Sequence, residues 1–588
     1  MRLKQIKWPA FGVLMGLTPV IAAPPASMSQ EQRVVHVLNR LTWGTRAADV
    51  AEVSKVGVAQ WIERQLHPET ITENPALMQK LAPLDTLNLS QRELTRSYPP
   101  PQVIRSMADG RTPWPADPVS RTILRSLAAR RKARKEDTDS DAQPRVAHER
   151  PEQFIARLET MTDSEQVEAL DAAAPGFRQR LFPLASPTLR RRIQLFSGPM
   201  QVVNQDLVQA KLLRAVYSTR QLEDVLADFW YNHFNVYLDK GADRYLVTAY
   251  ERDVIRPHVL GKFGDLLKAT AESPAMLFYL DNWQSMANGS GTRGKRTGLN
   301  ENYGRELMEL HTLGVDGGYS QSDVTEVARC FTGWTIRDPR ADARFFFNPR
   351  MHDNDAKKVL GVAIPAGGGM EDGLRVLEIL AHHPATARFL SHELAVRFVS
   401  DDPPASLVDK MARTYMDTDG DLREVLKTMF DSPEFFDPAA FKTRVKSPLE
   451  LVASAIRASG ADIDYSFALG RTLGMMGQPL YRKAEPTGYS SRGAEWMNSA
   501  SLVARMNFAS ALARNQFPGV ALSAARWPES TDEIARMLLG TPLSGTVRAA
   551  LRQDKPAADD GAFNAALPPA EAQIEAGLII GSPDFQRK

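Results

Sequence analysis

The sequence predicts an all-α protein, a predominantly helical and irregular array of many helices, with a short β-hairpin around residues 344–365. Apolar residues recur at spacings of three and four along most of the chain, which is the period of amphipathic helices. Capping patterns that begin with serine or aspartate precede many of these stretches. Only RFFFNPRMHDNDAKKVLGVAIP alternates with a period of two and carries the Asn, Asp and Gly residues typical of turns.

The chain begins with the features of a secretory signal peptide. Three basic residues precede an uncharged stretch, 8–22, that ends in small side chains. We assign residues 1–22 to this signal and expect cleavage after Ala22 or Ala23, so the mature protein is predicted to be periplasmic or secreted. The later apolar runs are too short for a membrane-spanning helix.

The composition is that of an ordinary soluble globular chain. Of its 588 residues, 43% are hydrophobic and 24% are charged, and the formal net charge is only +2. Because the charges are mixed and no basic face stands out, nucleic-acid binding is not indicated. Cys330 is the single cysteine, which excludes an internal disulfide, and its helical spacing from Val327 and Phe331 favours a buried, unreactive thiol.

The helices follow one another with short interruptions. The first is predicted to begin after Ser29, in a capping box, and to end near Leu41, while VAQWIERQLHP predicts a short helix that ends at Pro68. The apolar residues of 205–231 predict either one long helix or a pair. Further helices are predicted at 245–256, 261–272, 300–313, 321–333, 371–382, 385–400, 404–415, 421–430, 446–459 and 496–513.

Two stretches interrupt the helical pattern and suggest linkers. Residues 92–118 are proline-rich, and residues 130–153 mix both charges with almost no apolar side chain. We therefore divide the mature chain into an N-terminal helical region at 23–91, a flexible linker at 92–153, a main helical domain at 154–515 and a C-terminal helical extension at 516–588.

The densest polar pattern lies in NENYGRELMELHTLG. On a helix, Asn302, Glu306 and Glu309 form one stripe. Glu301 and Arg305 are spaced for an ion pair one turn apart. Taken alone, this pattern is typical of a solvated, salt-bridged helix face.

The next segment predicts a second acidic helix. In GGYSQSDVTEVARCFTGW, Asp323 and Glu326 share one face and Arg329 follows one turn later. If the two acidic faces meet, the sequence leaves three interpretations open. The cluster could hold a hard divalent cation, shift a carboxyl pKa for acid/base catalysis, or form a structural ion-pair network.

An aromatic stretch, FWYNHFNVY, carries Asn232, His233 and Asn235 among five aromatic residues. A buried polar group without a partner costs about 1–3 kcal/mol, so these side chains need partners or a chemical role. A lone histidine among aromatics is more typical of a hydrogen-bonded core residue than of a ligand. His352-Asp353, in the predicted hairpin, fits either a carboxylate-oriented imidazole or simple turn chemistry.

Familiar catalytic motifs are incomplete. HELAV, which begins at His392, lacks the second histidine of a zinc-binding HExxH helix, because Val396 stands in its place. No GxSxG nucleophile elbow occurs in the chain.

Six stretches occur in order between Val34 and Phe508, and they are LNRLTWG, FWYNHFNV, NENYGRELMELHTLGVDGGYSQSDVTEVARCFTGWT, MHDNDAKKVLG, HHPATARFLSHELAVRFVSDDPP and GQPLYRKAEPTGYSSRGAEWMNSASLVARMNF. Together they closely resemble the bacterial family named domain of unknown function 1800. The resemblance implies a large, exported, mostly helical protein without a known activity. It also implies frequent encoding beside an exported, sulfatase-like family, domain of unknown function 1501.

The family pattern covers most of the polar residues named above. Its positions in this chain are Trp230, Asn232, His233, Phe234, Asn300, Glu301, Asn302, Arg305, Glu306, Glu309, His311, Asp323, Glu326, Arg329, Gly333, Trp334, His352, Asp353, Lys357 and His383. Two places depart from the pattern. His392-Glu393 stands where a lysine-bearing pair is usual, and Arg482-Lys483-Ala484 replaces a turn that contains glycine and cysteine.

We expect these residues to meet in one polar centre in which Asn232 and His233 contact the two acidic faces and His352-Asp353 closes over them. The protein would then be a metal-dependent or acid/base hydrolase. The predicted ligands of a divalent metal are His233, Glu306, Glu309 and Asp323. The predicted catalytic residues are these four with Arg305 and Arg329, which would bind an anionic substrate. The predicted supporting residues are Asn232, Glu301, Asn302, His311, Glu326, Trp334, His352 and Asp353.

The alternative is a non-enzymatic exported scaffold, or an assembly partner of the sulfatase-like protein, whose ion pairs only fix helix packing. A cleft open to solvent and lined by His233, Glu306 and Asp323 favours the enzyme. Dry, paired charges favour the scaffold.

Overall fold

The computed structural model describes residues 27–135, 149–287, 298–339, 343–522, 527–553 and 569–588. Over these residues the predicted fold class is confirmed, since helices dominate and the strands form only short antiparallel pairs. The predicted signal peptide, 1–22, and residues 136–148 of the predicted charged linker lie outside the described residues. Within the described ranges, no helix is both long and apolar enough to cross a bilayer.

The N-terminal part is helical where the sequence suggested a proline-rich linker. Its helices are α1 (Gln30–Leu41), α2 (Ala47–Val56), α3 (Val58–Leu66), α4 (Pro75–Leu81), α5 (Gln91–Ser97), α6 (Pro101–Ala108) and α7 (Pro118–Lys135). Helices α6 and α7 begin at Pro101 and Pro118, and proline is well accommodated at the first helical position because the N–H it lacks has no partner there. The capping box at Ser29 is confirmed.

Four helices follow, namely α8 (Pro151–Glu159), α9 (Asp163–Ala172), α10 (Pro175–Leu181) and α11 (Pro187–Ser197). They share a small apolar core of their own, in which Phe154, Val167 and Leu181 pack with Ile123 of α7. The sequence placed this segment in the main domain, whose large core it does not join.

The centre of the chain carries the polar motifs. Its helices are α12 (Pro199–Tyr217), α13 (Gln221–His233), α14 (Asp243–Ala249), α15 (Phe263–Ala271), α16 (Pro274–Tyr279), α17 (Asn302–Glu309) and α18 (Gln321–Cys330). The helix or pair expected at 205–231 is a pair, α12 and α13. The stretch FWYNHFNVY comprises the last turn of α13 and the four residues that follow it.

The strands form three two-stranded antiparallel pairs. They are β1 (Trp334–Arg337) with β2 (Arg344–Phe347), β3 (Lys357–Val359) with β4 (Val362–Ile364), and β5 (Asp462–Ile463) with β6 (Val520–Ala521). The predicted hairpin at 344–365 is therefore only partly right, because β2 pairs backwards with β1. The true hairpin is β3–β4, whose turn residues Leu360 and Gly361 both have positive φ, at 47° and 83°, as a type I′ turn requires.

The remaining helices are α19 (Met370–Ala381), α20 (Pro384–Phe398), α21 (Ala405–Asp417), α22 (Leu422–Phe430), α23 (Pro448–Ser459), α24 (Phe467–Met475), α25 (Ser499–Ala513), α26 (Thr531–Leu539), α27 (Gly545–Gln553), α28 (Pro569–Gly581) and α29 (Pro583–Gln586). One hydrophobic core includes buried residues from Val34 of α1 to Phe585 of α29. The N- and C-terminal regions thus pack into the same core as the central helices. Within this core, α13, the end of α17 and α20 lie around one surface cleft.

Candidate functional site

A cleft of about 570 Å³ opens at the C-terminal end of α13. Its walls come from α13, from the end of α17, from α20 and from the segment between α24 and α25. The lining residues are Phe229, Asn232, His233, Glu309, Leu310, Val315, Phe389, Glu393, Val396, Gly477, Lys483, Thr487, Gly488, Tyr489, Ser490, Ser491, Arg492, Glu495 and Trp496. A cleft of this size is in the range of ligand-binding sites.

The two asparagines of FWYNHFNVY join α13 to the segment after α24. Asn232 Oδ1 accepts a hydrogen bond from the Tyr489 backbone N–H at 3.0 Å, and its Nδ2 donates to the Asp228 carbonyl at 2.8 Å. Asn235 Nδ2 donates to the carbonyls of Lys483 and Glu485 at 3.0 and 2.9 Å. The amides are therefore satisfied by main-chain groups, and the expectation that acidic and arginine faces contact Asn232 is wrong.

His233 is half-buried in the cleft wall, and its hydrogen bond identifies its tautomer. Nε2 lies 3.0 Å from the His311 carbonyl oxygen. A carbonyl only accepts hydrogen bonds, so Nε2 carries the proton and Nδ1 keeps a free lone pair in the neutral ring. Burial lowers the pKa of His233, while the His311 carbonyl and the charge of Glu393 oppose that shift. Among the described residues, Nδ1 has no hydrogen-bond partner.

His311 contacts His233 through its backbone carbonyl and lies next to the ring of His233. Its ring is buried, and this burial, together with the neighbouring His233, lowers its pKa to about 3. The ring of His311 is therefore neutral, and its Nε2 has no hydrogen-bond partner among the described residues. We assign His311 a positioning role, because its carbonyl holds the tautomer of His233.

Three carboxylates share the cleft with His233. Glu495 accepts a hydrogen bond from Ser490 Oγ at 2.8 Å, and Glu393 lies 3.5 Å from His392 Nδ1. Glu309 is half-buried at the end of α17. Glu306 lies one turn before Glu309 on α17 and does not line the cleft. Its pKa is raised, first by burial and then by the charge of Glu309.

The second acidic face forms a separate network. Arg329 binds Asp353 with two hydrogen bonds, at 2.8 and 3.1 Å, and binds Glu326 at 2.8 Å. The carboxylates also bind the hairpin backbone, since the Leu360 N–H donates to Asp323 Oδ1 at 2.8 Å and the Lys358 N–H donates to Glu326 at 3.0 Å. These side chains tie β3–β4 to α18, and none of them lines the cleft.

The expectation that His352-Asp353 closes over the cleft is also wrong. His352 is buried, with Nδ1 2.8 Å from the Thr332 carbonyl and Nε2 3.1 Å from Asp372 Oδ2. Lys357 Nζ donates to the same carboxylate oxygen at 2.8 Å. This buried cluster fastens the hairpin to α19, so its polar groups are engaged within the protein.

Replacement of Arg329 tests whether this network is structural. Arg329→Met leaves Glu326 and Asp353, which are about four-fifths buried, without their cation, so we expect a loss of about 2–3 kcal/mol of unfolding free energy. Arg305→Met is the matched control, because Arg305 is 40% exposed and lies 3.5 Å from Glu301, and its loss should be below about 1 kcal/mol. Equal losses in urea denaturation would contradict the assignment.

The predicted metal ligands do not assemble. Across the described ranges, no group of three or more His, Cys, Asp or Glu side chains is arranged to hold a metal ion. His233 and Glu309 line the cleft, whereas Glu306 does not and Asp323 caps α18 through Ser320. Cys330 is buried as expected, and burial raises the pKa of its thiol to about 12.

The other predicted residues have structural roles. Glu301 accepts hydrogen bonds from Gln321 and Thr325, both at 2.8 Å, which joins α17 to α18. Arg305 also binds Gln321, at 2.9 Å, and it does not line the cleft. The Asn302 side chain donates a long hydrogen bond of 3.4 Å to the Leu280 carbonyl, and its backbone N–H donates to Asn300 Oδ1 at 2.9 Å. Trp334 is fully buried at the start of β1.

Sequence reasoning missed the opposite wall of the cleft. That wall contains Glu393, Lys483, the segment 487–492, Glu495 and Trp496. The signal was present, because GYSSRGAEWMN places two glycines and several hydroxyl groups in a segment without helical periodicity. Turn-rich segments that carry polar side chains are common in binding sites.

The fold and the cleft define a helical protein with a polar, ligand-sized site beside an uncharged histidine. The chain matches the family described as "Protein of unknown function (DUF1800)" over residues 36–587, and it belongs to that family. No curated protein and no solved structure matches it.

Proposed function

We propose that this protein is an exported hydrolase that works by acid/base chemistry, with His233 as the general base. One observation carries the proposal. An imidazole with its Nε2 proton bound to a carbonyl, and with Nδ1 unprotonated, lies in the wall of an open cleft. Perturbed histidines in clefts are characteristic of catalytic sites.

Each step follows from a group in the cleft. Nδ1 of His233 takes a proton from an attacking water, while the bond to the His311 carbonyl keeps the ring oriented. The charge of Glu393 stabilises the imidazolium that forms. Glu309 is the candidate acid for the leaving group, because its half-buried side chain lines the cleft together with His233.

The charges of the cleft suggest the kind of substrate. Glu309, Glu393 and Glu495 face only two cations, Lys483 and Arg492. Arg305 and Arg329, which the sequence suggested for an anionic substrate, are engaged elsewhere. A polar substrate without negative charge fits this lining best. The proposal has no metal-dependent step, because the predicted ligands do not assemble.

The scaffold interpretation has an observation of its own in its favour. The network of Arg329 with Glu326 and Asp353 is paired and fixes packing, as a scaffold requires. An exported assembly partner for a co-encoded sulfatase-like protein is therefore our second candidate function.

Chemical modification tests the base without a known substrate. Diethyl pyrocarbonate reacts with unprotonated imidazole nitrogen, so at pH 6 we expect His233 to be modified faster than His382. His382 is 57% exposed, but the Glu378 carbonyl and Asp419 raise its pKa, so it is mostly protonated at that pH. Peptide mass spectrometry reads out both sites. An unmodified His233 at pH 6 and pH 7 would refute the role of Nδ1.

Turnover tests the hydrolase directly. We expect activity on one class within a panel of chromogenic esters, amides and glycosides, and a loss of about 10²–10⁴-fold in His233→Gln. Glutamine can still donate to the His311 carbonyl, so the variant removes the base and keeps the hydrogen bond. Unchanged turnover in His233→Gln would exclude His233 as the base.

A further inference from the structure

The chain exposes an apolar surface on α25 and α28. Among the described residues, twelve large hydrophobic side chains are exposed, and five of them lie on α25 and α28. Two more lie near these helices, because Met497 shortly precedes α25 and Met475 ends α24, which packs against α25. The seven are Met475, Met497, Leu502, Val503, Met506, Ile574 and Leu578, with exposed fractions between 38% and 61%. Contiguous exposed apolar surface of this kind marks an interaction site.

The packing of the two helices makes this surface continuous. A Cβ placed on Gly577 of α28 would lie 3.5 Å from Ala513 Cβ, and one placed on Gly581 would lie 2.6 Å from Met506 Sδ. The helices therefore run antiparallel and in close contact. Ile574 lies one turn before Gly577, and Leu578 lies one turn before Gly581. These two side chains therefore extend the row of exposed apolar residues that begins on α25.

The charge of this surface favours a second copy of the chain over an anionic lipid bilayer as the binding partner. Of the exposed positions that the structure describes on α25 and α28, only Glu571, in the first turn of α28, is charged; those of α25 are Ser499, Ala500, Leu502, Val503, Met506 and Asn507. An anionic bilayer is recognised through lysine and arginine around the apolar face, and α25 exposes neither. The seven apolar side chains carry no charge, so they do not repel the same side chains of a second copy, and two-fold dimers pair one patch with the same patch.

The exposed apolar area is consistent with binding of a second copy of the chain. Seven side chains that are each about half exposed offer on the order of 600 Å², so two copies would bury about 1,200 Å², the lower end of the range for stable interfaces. We propose that the seven-residue surface of α25 and α28 is the interface of a homodimer. Met475 and Met497 adjoin Gly477 and Trp496 of the cleft, so the two clefts open beside this interface. The proposal does not depend on the hydrolytic activity.

Mass measurement tests the dimer on the whole mature chain. Analytical ultracentrifugation from about 0.1 to 100 μM covers the micromolar affinities typical of a weak interface, and a tighter interface gives a dimer throughout this range. We expect the wild type to reach twice the monomer mass within this range, while Val503→Asp combined with Leu578→Asp stays monomeric. Met78→Asp is the matched control, because Met78 is an equally exposed methionine on α4, and it should dimerise like the wild type.

Two outcomes would overturn the proposal. The first is a wild type that stays monomeric throughout, including one that instead floats with phosphatidylcholine vesicles. The second is a double variant that dimerises as tightly as the wild type. Circular dichroism should show that the variants are folded, which the exposure of both positions predicts.

Discussion

Glu450→Gln is expected to lower the free energy of unfolding by about 3–5 kcal/mol, the usual cost of removing one partner from a buried ion pair. Glu450 lies in the first turn of α23 and is 10% exposed. Its Oε1 is 2.9 Å from Arg397 Nη1 and also binds Lys588 Nζ. Arg40 and Arg444 are buried close by, so the variant leaves several cations without their main counter-charge.

Glu450→Gln removes the negative charge but keeps the size of the side chain and its hydrogen bond in the capping box. Glu450 completes the capping box of α23, in which the Ser447 N–H donates to Oε2 at 2.8 Å. Glutamine serves equally in that position of a capping box, so the cap is kept. Glu165, which closes the capping box of α9 on the exposed surface, is the matched control, and Glu165→Gln should unfold as the wild type does.

The pH dependence gives a second check on the same variant. Burial raises the pKa of Glu450, but Lys588 and Arg397 outweigh it and hold the pKa well below its ordinary value. The stability from this carboxylate is therefore present above the unfolded pKa of about 4.3 and is lost as the pH falls below it. The deficit of Glu450→Gln should shrink in urea titrations at about pH 3. A deficit that is the same at pH 3 and pH 7 would contradict a charge effect.

The sequence predicted the helices well because their signals are local. The capping box at Ser29, the helix at 321–333 and the one long helix or pair expected over 205–231 depend on residues three or four apart. Even the shared face of Asp323, Glu326 and Arg329 is correct. Helical periodicity states which side chains share a face, but it does not state what that face contacts.

The partners could not be predicted for the same reason. His233 is held by a main-chain carbonyl 78 residues away, and Asn232 by a backbone N–H 257 residues away. Every residue has such groups, so nothing in the side chains of His311 or Tyr489 marks them as partners. The acidic face of α18 was assigned to the histidine because both patterns were conspicuous, whereas its real partner is the backbone of the β3–β4 hairpin.

Gly488 explains why the two walls of the cleft come so close together. It has a φ of +64°, and a Cβ added there would collide with the Asn232 carbonyl oxygen. The next residue, Tyr489, donates its N–H to the side chain of the same asparagine. The close approach therefore positions the segment after α24 against α13, beside His233.

Gly488→Ala should consequently be among the most damaging small substitutions. We expect a loss of about 2–4 kcal/mol, which combines the strain of a positive φ with overpacking against the backbone. Gly460→Ala is the matched control, since Gly460 has a φ of +66° and nothing within 4 Å of its added Cβ, and it should cost only about 1 kcal/mol. Because the displaced segment carries Tyr489 and Ser490, the modification rate of His233 should change in Gly488→Ala and stay the same in Gly460→Ala. Equal costs in the two variants would mean that the close approach at Asn232 does not position the cleft.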